Sequence, residues 1–210
     1  MQLVIVTDIF GAQPEVLLQF DQLGSAYLCV QPYDHQPPSF TDDNEAYQYF
    51  LAHGALEAYS KKVGELLKAQ TEPVFLLGFS AGAAACWANL ALEHLTIGLY
   101  VGFYGGQIRQ MTNLQPLYPT ELIFAEETHF SVSGLMDALE AEQVKPASSR
   151  IRLPFGFAKR HGVLLKLQAD EGWRLYIHTA TTAAAVLEVR RMLAEPFQIQ
   201  RLSAVEFEAM

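Results

Sequence analysis

Short apolar runs alternate with stretches of helical periodicity along most of the chain. Residues 3–6 form an unbroken β-branched and apolar run that predicts a strand covered on both faces. Apolar positions at helical spacing over 14–23 predict a helix stopped by Gly24, and 26–30 predict a second buried strand. Residues 31–43 hold three prolines and no period, which reads as loop. Over 44–70, Tyr47, Phe50, Leu51, Tyr59, Val63, Leu66 and Leu67 recur mostly three or four apart, the signature of one long helix weakened at Gly54 and Gly64. His53, on that helix, reads as an ordinary surface or packing residue.

A strand at 74–77, a tight turn and an alanine-rich helix follow, then a strand over 96–104 broken by Gly105-Gly106. Residues 108–118 read as a connection, and 121–125 as the next strand. Ser131 or Ser133 is placed to cap a helix through Glu142. A strand is expected over 149–155, a loop over 156–162, a hairpin from 163–167 and 173–177, and a closing helix over 181–194. This alternation predicts an α/β fold, a mainly parallel sheet with helices on both faces, in a single domain spanning residues 1–210.

Composition narrows the partners. The chain has 210 residues, half of them hydrophobic, and a net charge of −9. That balance argues against nucleic acid or an anionic membrane as partner. Cys29 and Cys86 both lie in apolar runs and read as buried, reduced thiols, which points to the cytoplasm. The first residues lack the features of a signal peptide. The six histidines are scattered without metal-ligand spacing, so no metal is expected, and acyl transfer by a serine would need no organic cofactor. Nothing in the sequence specifies an oligomeric state.

The chemistry centres on Gly78-Phe79-Ser80-Ala81-Gly82. A G-x-S-x-G sequence between a strand and a helix is the pattern of a nucleophile elbow, which holds a serine hydroxyl above the sheet on a strained turn. Glycines flank the serine because side chains there would collide with neighbouring backbone. The N–H of Ala81 is then available as half of an oxyanion hole. The loop Asp8-Ile9-Phe10-Gly11 follows the first strand, where two readings stand: it shares a crevice with the serine turn, or Asp8 merely starts a turn, the commoner outcome for such a residue. Phe40, Tyr104 and Tyr118 are candidates to line that crevice.

On these segments the chain resembles the dienelactone-hydrolase-like family of α/β-hydrolases. Its opening strand with DIFG is similar to the family's E-I-F-G segment, GFSAG stands at the place of G-x-C-x-G, LYVGFYGG resembles the strand ending in Y-Y-G, and FAEETHF resembles G-x-x-D-x-F. His161-Gly162 matches the final histidine and its small neighbour. The resemblance implies an α/β-hydrolase fold trimmed at its N-terminus. It implies a serine hydrolase that cleaves a small carboxylic ester, lactone or thioester through an acyl-enzyme. The implied roles are Ser80 as nucleophile, His161 as base, Glu127 as acid, the N–H groups of Ile9 and Ala81 as oxyanion hole, and Asp8 as neighbour of the nucleophile. His178 is the second choice of base and Glu126 of acid; His129 is placed less favourably. The family's aspartate position falls on Thr128, so the alternative is a non-catalytic binding or regulatory member of the same fold with a degenerate triad.

Overall fold

The computed structural model describes residues 2–21, 26–124 and 130–142, and the strands of a second sheet between residues 157 and 179. Five strands form a wholly parallel sheet: β1 (Gln2–Val6), β2 (Tyr27–Val30), β3 (Val74–Phe79), β4 (Ile97–Phe103) and β5 (Thr120–Ile123), in the order β2-β1-β3-β4-β5. The α/β class expected from the sequence is therefore present. From β1 the chain crosses to β2 on one side and then returns past β1 to β3. Right-handed crossovers in opposite directions must pass over opposite faces of a sheet. Accordingly α1 (Pro14–Asp21) supplies Phe20 to a cluster with Leu3, Ile5, Leu77 and Phe103, whereas α3 (Ala55–Lys68) and α4 (Ala81–Trp87) build the core on the other face around Val4, Val6, Leu76 and Tyr100. α5 (Val132–Glu142) adds Leu135, Met136 and Leu139 to that second core, and Ser131 Oγ caps it by accepting from the N–H of Gly134.

Three expectations need correction. The long helix over 44–70 is two helices, α2 (Asp43–Ala52) and α3, separated at Gly54. Gly54 adopts φ 90°, a left-handed conformation that breaks the helix and that an L side chain rarely takes. β2 is the sheet edge, and its central residues Leu28 and Cys29 are exposed, not buried. An apolar run marks a strand but does not report whether a neighbour covers it. Residues 156–162, read as loop, include a strand, β6 (Phe157–Arg160). With β7 (Val163–Ala169) and β8 (Trp173–Thr179) it forms a separate three-stranded antiparallel sheet. The hairpin of β7 and β8 is as expected; β6 is polar in sequence and owes its strand to pairing with β7. The strand over 149–155 and the helix over 181–194 lie outside the described residues.

α4 fixes the spacing of the main sheet. Each of its residues is buried, and its alanines let its axis approach β3 and β4 closely. Tyr100 Oη donates to the carbonyl of Ala83 at 2.7 Å and Trp87 Nε1 to that of Met111 at 3.0 Å, so the polar atoms of these two buried rings are satisfied. A Cβ on Gly82 would run into the carbonyl oxygens of Val6 and Thr7, which are backbone atoms of β1 and its loop and have nowhere to go. We therefore expect Gly82→Ala to cost about 3 kcal/mol or more in urea denaturation, above the usual cost of an added methyl in a packed core. A loss below about 1 kcal/mol would mean that the seam between β1 and α4 is looser than these contacts require.

Candidate functional site

The carboxyl ends of β1 and β3 mark the place where the strand order reverses, which is where open α/β sheets form a ligand crevice. Val6 pairs with Gly78 in register, so Asp8 and Ser80 each stand two residues beyond that matched row in adjacent loops. The two loops therefore leave the sheet at the same end, and the Asp8 side chain also starts a turn by accepting from the Phe10 N–H. Ser80 sits between β3 and α4 at φ 51° and ψ −114°, a strained conformation for any residue but glycine. Its N–H donates to the carbonyl of Phe103 at 2.9 Å and its carbonyl accepts from Ala84 at 3.1 Å, so both neighbours hold the turn. Gly78 and Gly82 are required there: a Cβ on Gly78 would meet Ala83 Cα at 2.6 Å. Tyr104, which follows β4, also has positive φ, at 43°.

The Asp8 loop is clamped from above. Asp8 Oδ1 accepts from the N–H of Phe10 at 2.9 Å, Gln31 Oε1 accepts from Ala12 at 2.9 Å, and Tyr33 Oη donates to the carbonyl of Ile9. Below it, the buried Tyr59 hydroxyl lies 2.9 Å from the carbonyls of both Thr7 and Val30 and ties α3 to the ends of β1 and β2. Sequence reasoning missed Gln31, Tyr33 and Tyr59; a tyrosine in an apolar helix face was the available sign, since a buried hydroxyl must find an acceptor. Burial pushes the Asp8 carboxyl up to about 6 and the nearby Asp43 adds to this, while the Phe10 N–H opposes it.

Phe10 packs edge-on against Phe40, which meets Tyr49, which in turn meets Tyr33 and stacks on His53 at 4.0 Å. Phe40 is thus beside the crevice, and His53 is an exposed packing residue as expected. Tyr104 packs against Phe79 and Phe103. Tyr118 is elsewhere: it bonds Leu92 and Leu95, just before β4, at the opposite end of the strands. Gln107 Oε1, in the 3-10 turn after β4, is buried with no hydrogen-bond partner among the described residues. No group of three His, Cys, Asp or Glu that could hold a metal occurs among the described residues.

Glu126, Glu127, Thr128, His129 and His161 lie outside the described residues. His178 belongs to β8, opposite Leu164, rather than following a strand as expected. His161 and Gly162 fall between two antiparallel strands paired at Arg160 and Val163, a setting unlike the final loop of a parallel hydrolase sheet.

Comparison with known proteins decides what this second sheet is similar to. Residues 152–210 match the family model for a domain of GSPII protein E. The type II secretion system protein E of Klebsiella pneumoniae is 39% identical over 64 residues, which are 30% of this chain and 13% of that relative. The C-terminal sheet lies in a secretion-protein-like segment.

This finding corrects the dienelactone-hydrolase identity, and with it the serine ester hydrolase, its degenerate-triad alternative and the small-molecule ester substrate. The resemblance needed one family across the chain, with the last histidine supplied by residues that instead match protein E. Short segments such as DIFG and GFSAG describe backbone turns more than chemistry.

Two outcomes follow from the geometry at Ser80 and Asp8. Ser80→Gly should raise stability by about 1 kcal/mol, because relief of a strained φ outweighs the added chain entropy. Measured destabilisation would show that the serine side chain holds the turn. For Asp8, the carboxyl is easier to protonate folded than unfolded, where its value is 3.8, so its ionisation costs stability as pH rises from about 4 to about 6, and the cost is complete above that. Asp8→Asn should therefore flatten the stability–pH curve over this window and gain about 1–3 kcal/mol at about pH 7–8. Equal slopes for the two proteins would contradict the burial.

Proposed function

We propose that this chain is a protein-docking component related to type II secretion protein E, with residues 152–210 as its docking part and the parallel sheet as the body that carries it. The match of residues 152–210 to the protein E domain carries this reading. Two further features support it: the antiparallel sheet is paired only within itself among the described strands, and it is built on a different plan from the parallel sheet. The 210 residues contain no G-x-x-x-x-G-K-[ST] sequence, so the proposal concerns docking and not nucleotide chemistry. The match takes in 13% of the curated relative, and the partner is accordingly proposed only as a component of a type II secretion machinery.

In the same proposal the body has the α/β-hydrolase fold trimmed at its N-terminus. Its strand order, its glycine-flanked turn and the strained Ser80 support that assignment. Ser80, Ala81, Asp8 and Ile9 are proposed as ligand-contacting residues at the switch point, with no ester cleavage assigned to them. A cytoplasmic location is also proposed, supported by the unpaired thiols of Cys29 and Cys86. No helix among the described residues is long and apolar enough to cross a membrane.

The immobilised full chain should retain type II secretion proteins from a detergent extract of its source cells, identified by mass spectrometry. A chain ending at residue 151, shown by circular dichroism to keep its sheet and helices, should retain none. Equal retention by the two forms, or none by the full chain, would remove the docking assignment.

A further inference from the structure

We propose that one face of the antiparallel sheet, carrying Lys159, Lys166 and Arg174 in a diagonal row, docks an acidic segment of a partner protein. This rests on the docking reading of residues 152–210. In an antiparallel sheet, directly paired residues share a face and alternate residues along a strand return to it. Lys159 pairs with Leu164, Phe157 with Lys166, and Gln168 with Arg174, so residues 164, 166 and 168 of β7 place all three cations on the same face. Each is one strand over and two residues along from the next, a diagonal step of about 7–8 Å. The other face carries Leu165, Leu167, Leu175 and Ile177 by the same register and is the face that a hydrophobic core would cover.

The charge placement runs against the rest of the chain. Residues 1–151 hold 17 acidic and 6 basic side chains, whereas residues 152–210 hold 6 and 8. The three strands contain four basic residues and no carboxylate, and three of the four fall on one face. None of the three cations is paired directly with a carboxylate in the ladder: their partners are Leu164, Phe157, Tyr176 and Gln168. In sequence, Asp170 and Glu171 stand between β7 and β8. The row therefore selects an anion. A discrete acidic protein segment suits it better than a polyanion or an anionic bilayer, because both present extended negative charge to a body with 17 acidic side chains.

Fluorescence anisotropy of the full chain with a fluorescein-labelled glutamate-rich peptide tests this. The same peptide with each glutamate replaced by glutamine, a single-stranded DNA oligonucleotide, and phosphatidylcholine vesicles containing phosphatidylglycerol serve as competitors. The glutamate peptide should bind with an affinity that falls as salt rises. The combined variant Lys159→Gln, Lys166→Gln, Arg174→Gln should weaken it about tenfold, while Arg190→Gln, Arg191→Gln, Arg201→Gln, off the described strands, should leave it unchanged. Should the first variant fail to fold by circular dichroism, Lys166→Gln alone should weaken binding about two- to threefold. Absence of peptide binding, equal loss in both variants, tighter binding of DNA or vesicles, or peptide-dependent self-association of the chain would each overturn the proposal. If the chain still retains secretion proteins through residues 152–210 while the row proves silent, the docking reading stands and only the acidic-segment assignment falls.

Discussion

The main sheet depends on one close approach of backbone to backbone. α4 begins against the end of β1 with no side chain between them, because the position at that contact is Gly82, and it also lies close to β3 because the facing residue there is Gly78. That approach sets the depth of α4 against β3 and β4. The depth in turn decides that the residues along the helix are alanines, that Tyr100 can reach the carbonyl of Ala83, and that Trp87 is fully enclosed. The cost of so tight a turn is borne at Ser80, whose φ of 51° is the conformation left to a residue joining a strand to a helix that starts immediately. Strain at one residue and close packing along the helix that follows are the same geometric fact.

A second constraint acts at the same end of the sheet. The carbonyls of Thr7 and Val30 leave the ladder where β1 and β2 separate, and without partners they would be buried acceptors. Thr7 N–H takes the carbonyl of Val30, and the hydroxyl of Tyr59 reaches both oxygens from α3. This is why α3 lies where it does and why its helix is interrupted from α2: Gly54 lets the chain turn so that Tyr59 and Val63 face the sheet while α2 follows its own line to Phe50. The backbone at the ends of β1 and β2 is thus satisfied partly across the two strands and partly from the helix side.

Much of the main sheet was legible in the sequence, for physical reasons. The runs at Leu3, Val74 and Ile97 are continuous because both faces of a central parallel strand are covered, and continuity is what a reader of sequence can see. Leu28 and Cys29 belong to an equally continuous run, and only the strand order tells that no described strand lies beyond them. Gly54 showed as a weak point in a helical pattern, but a helical period continues across a break whenever both pieces bury a face in the same core. The turn at Ser80 was legible because glycine spacing encodes sterics directly. Its chemistry was not, since a strained serine specifies a conformation and leaves open what, if anything, meets its hydroxyl.

The second sheet was legible in another way, and there the sequence misled. Phe157-Ala158-Lys159-Arg160 has half its residues charged and no β-branched side chain, so nothing local marks a strand; β6 exists because Val163 to Lys166 offer it a ladder. Once β6 is a strand, His161 and Gly162 stand in sequence between two antiparallel strands, a place where glycine is common for reasons that owe nothing to catalysis. The same two letters thus serve two architectures. What separates them is the direction of the flanking strands, a long-range property that a motif of two residues cannot carry. Residues 1–151 and 152–210 carry opposite net charge, a contrast that the overall balance of −9 hides, and the direction of strand pairing differs between the two parts. Composition and topology, read together, mark a chain built on two plans more reliably than any of the short motifs marks a chemistry.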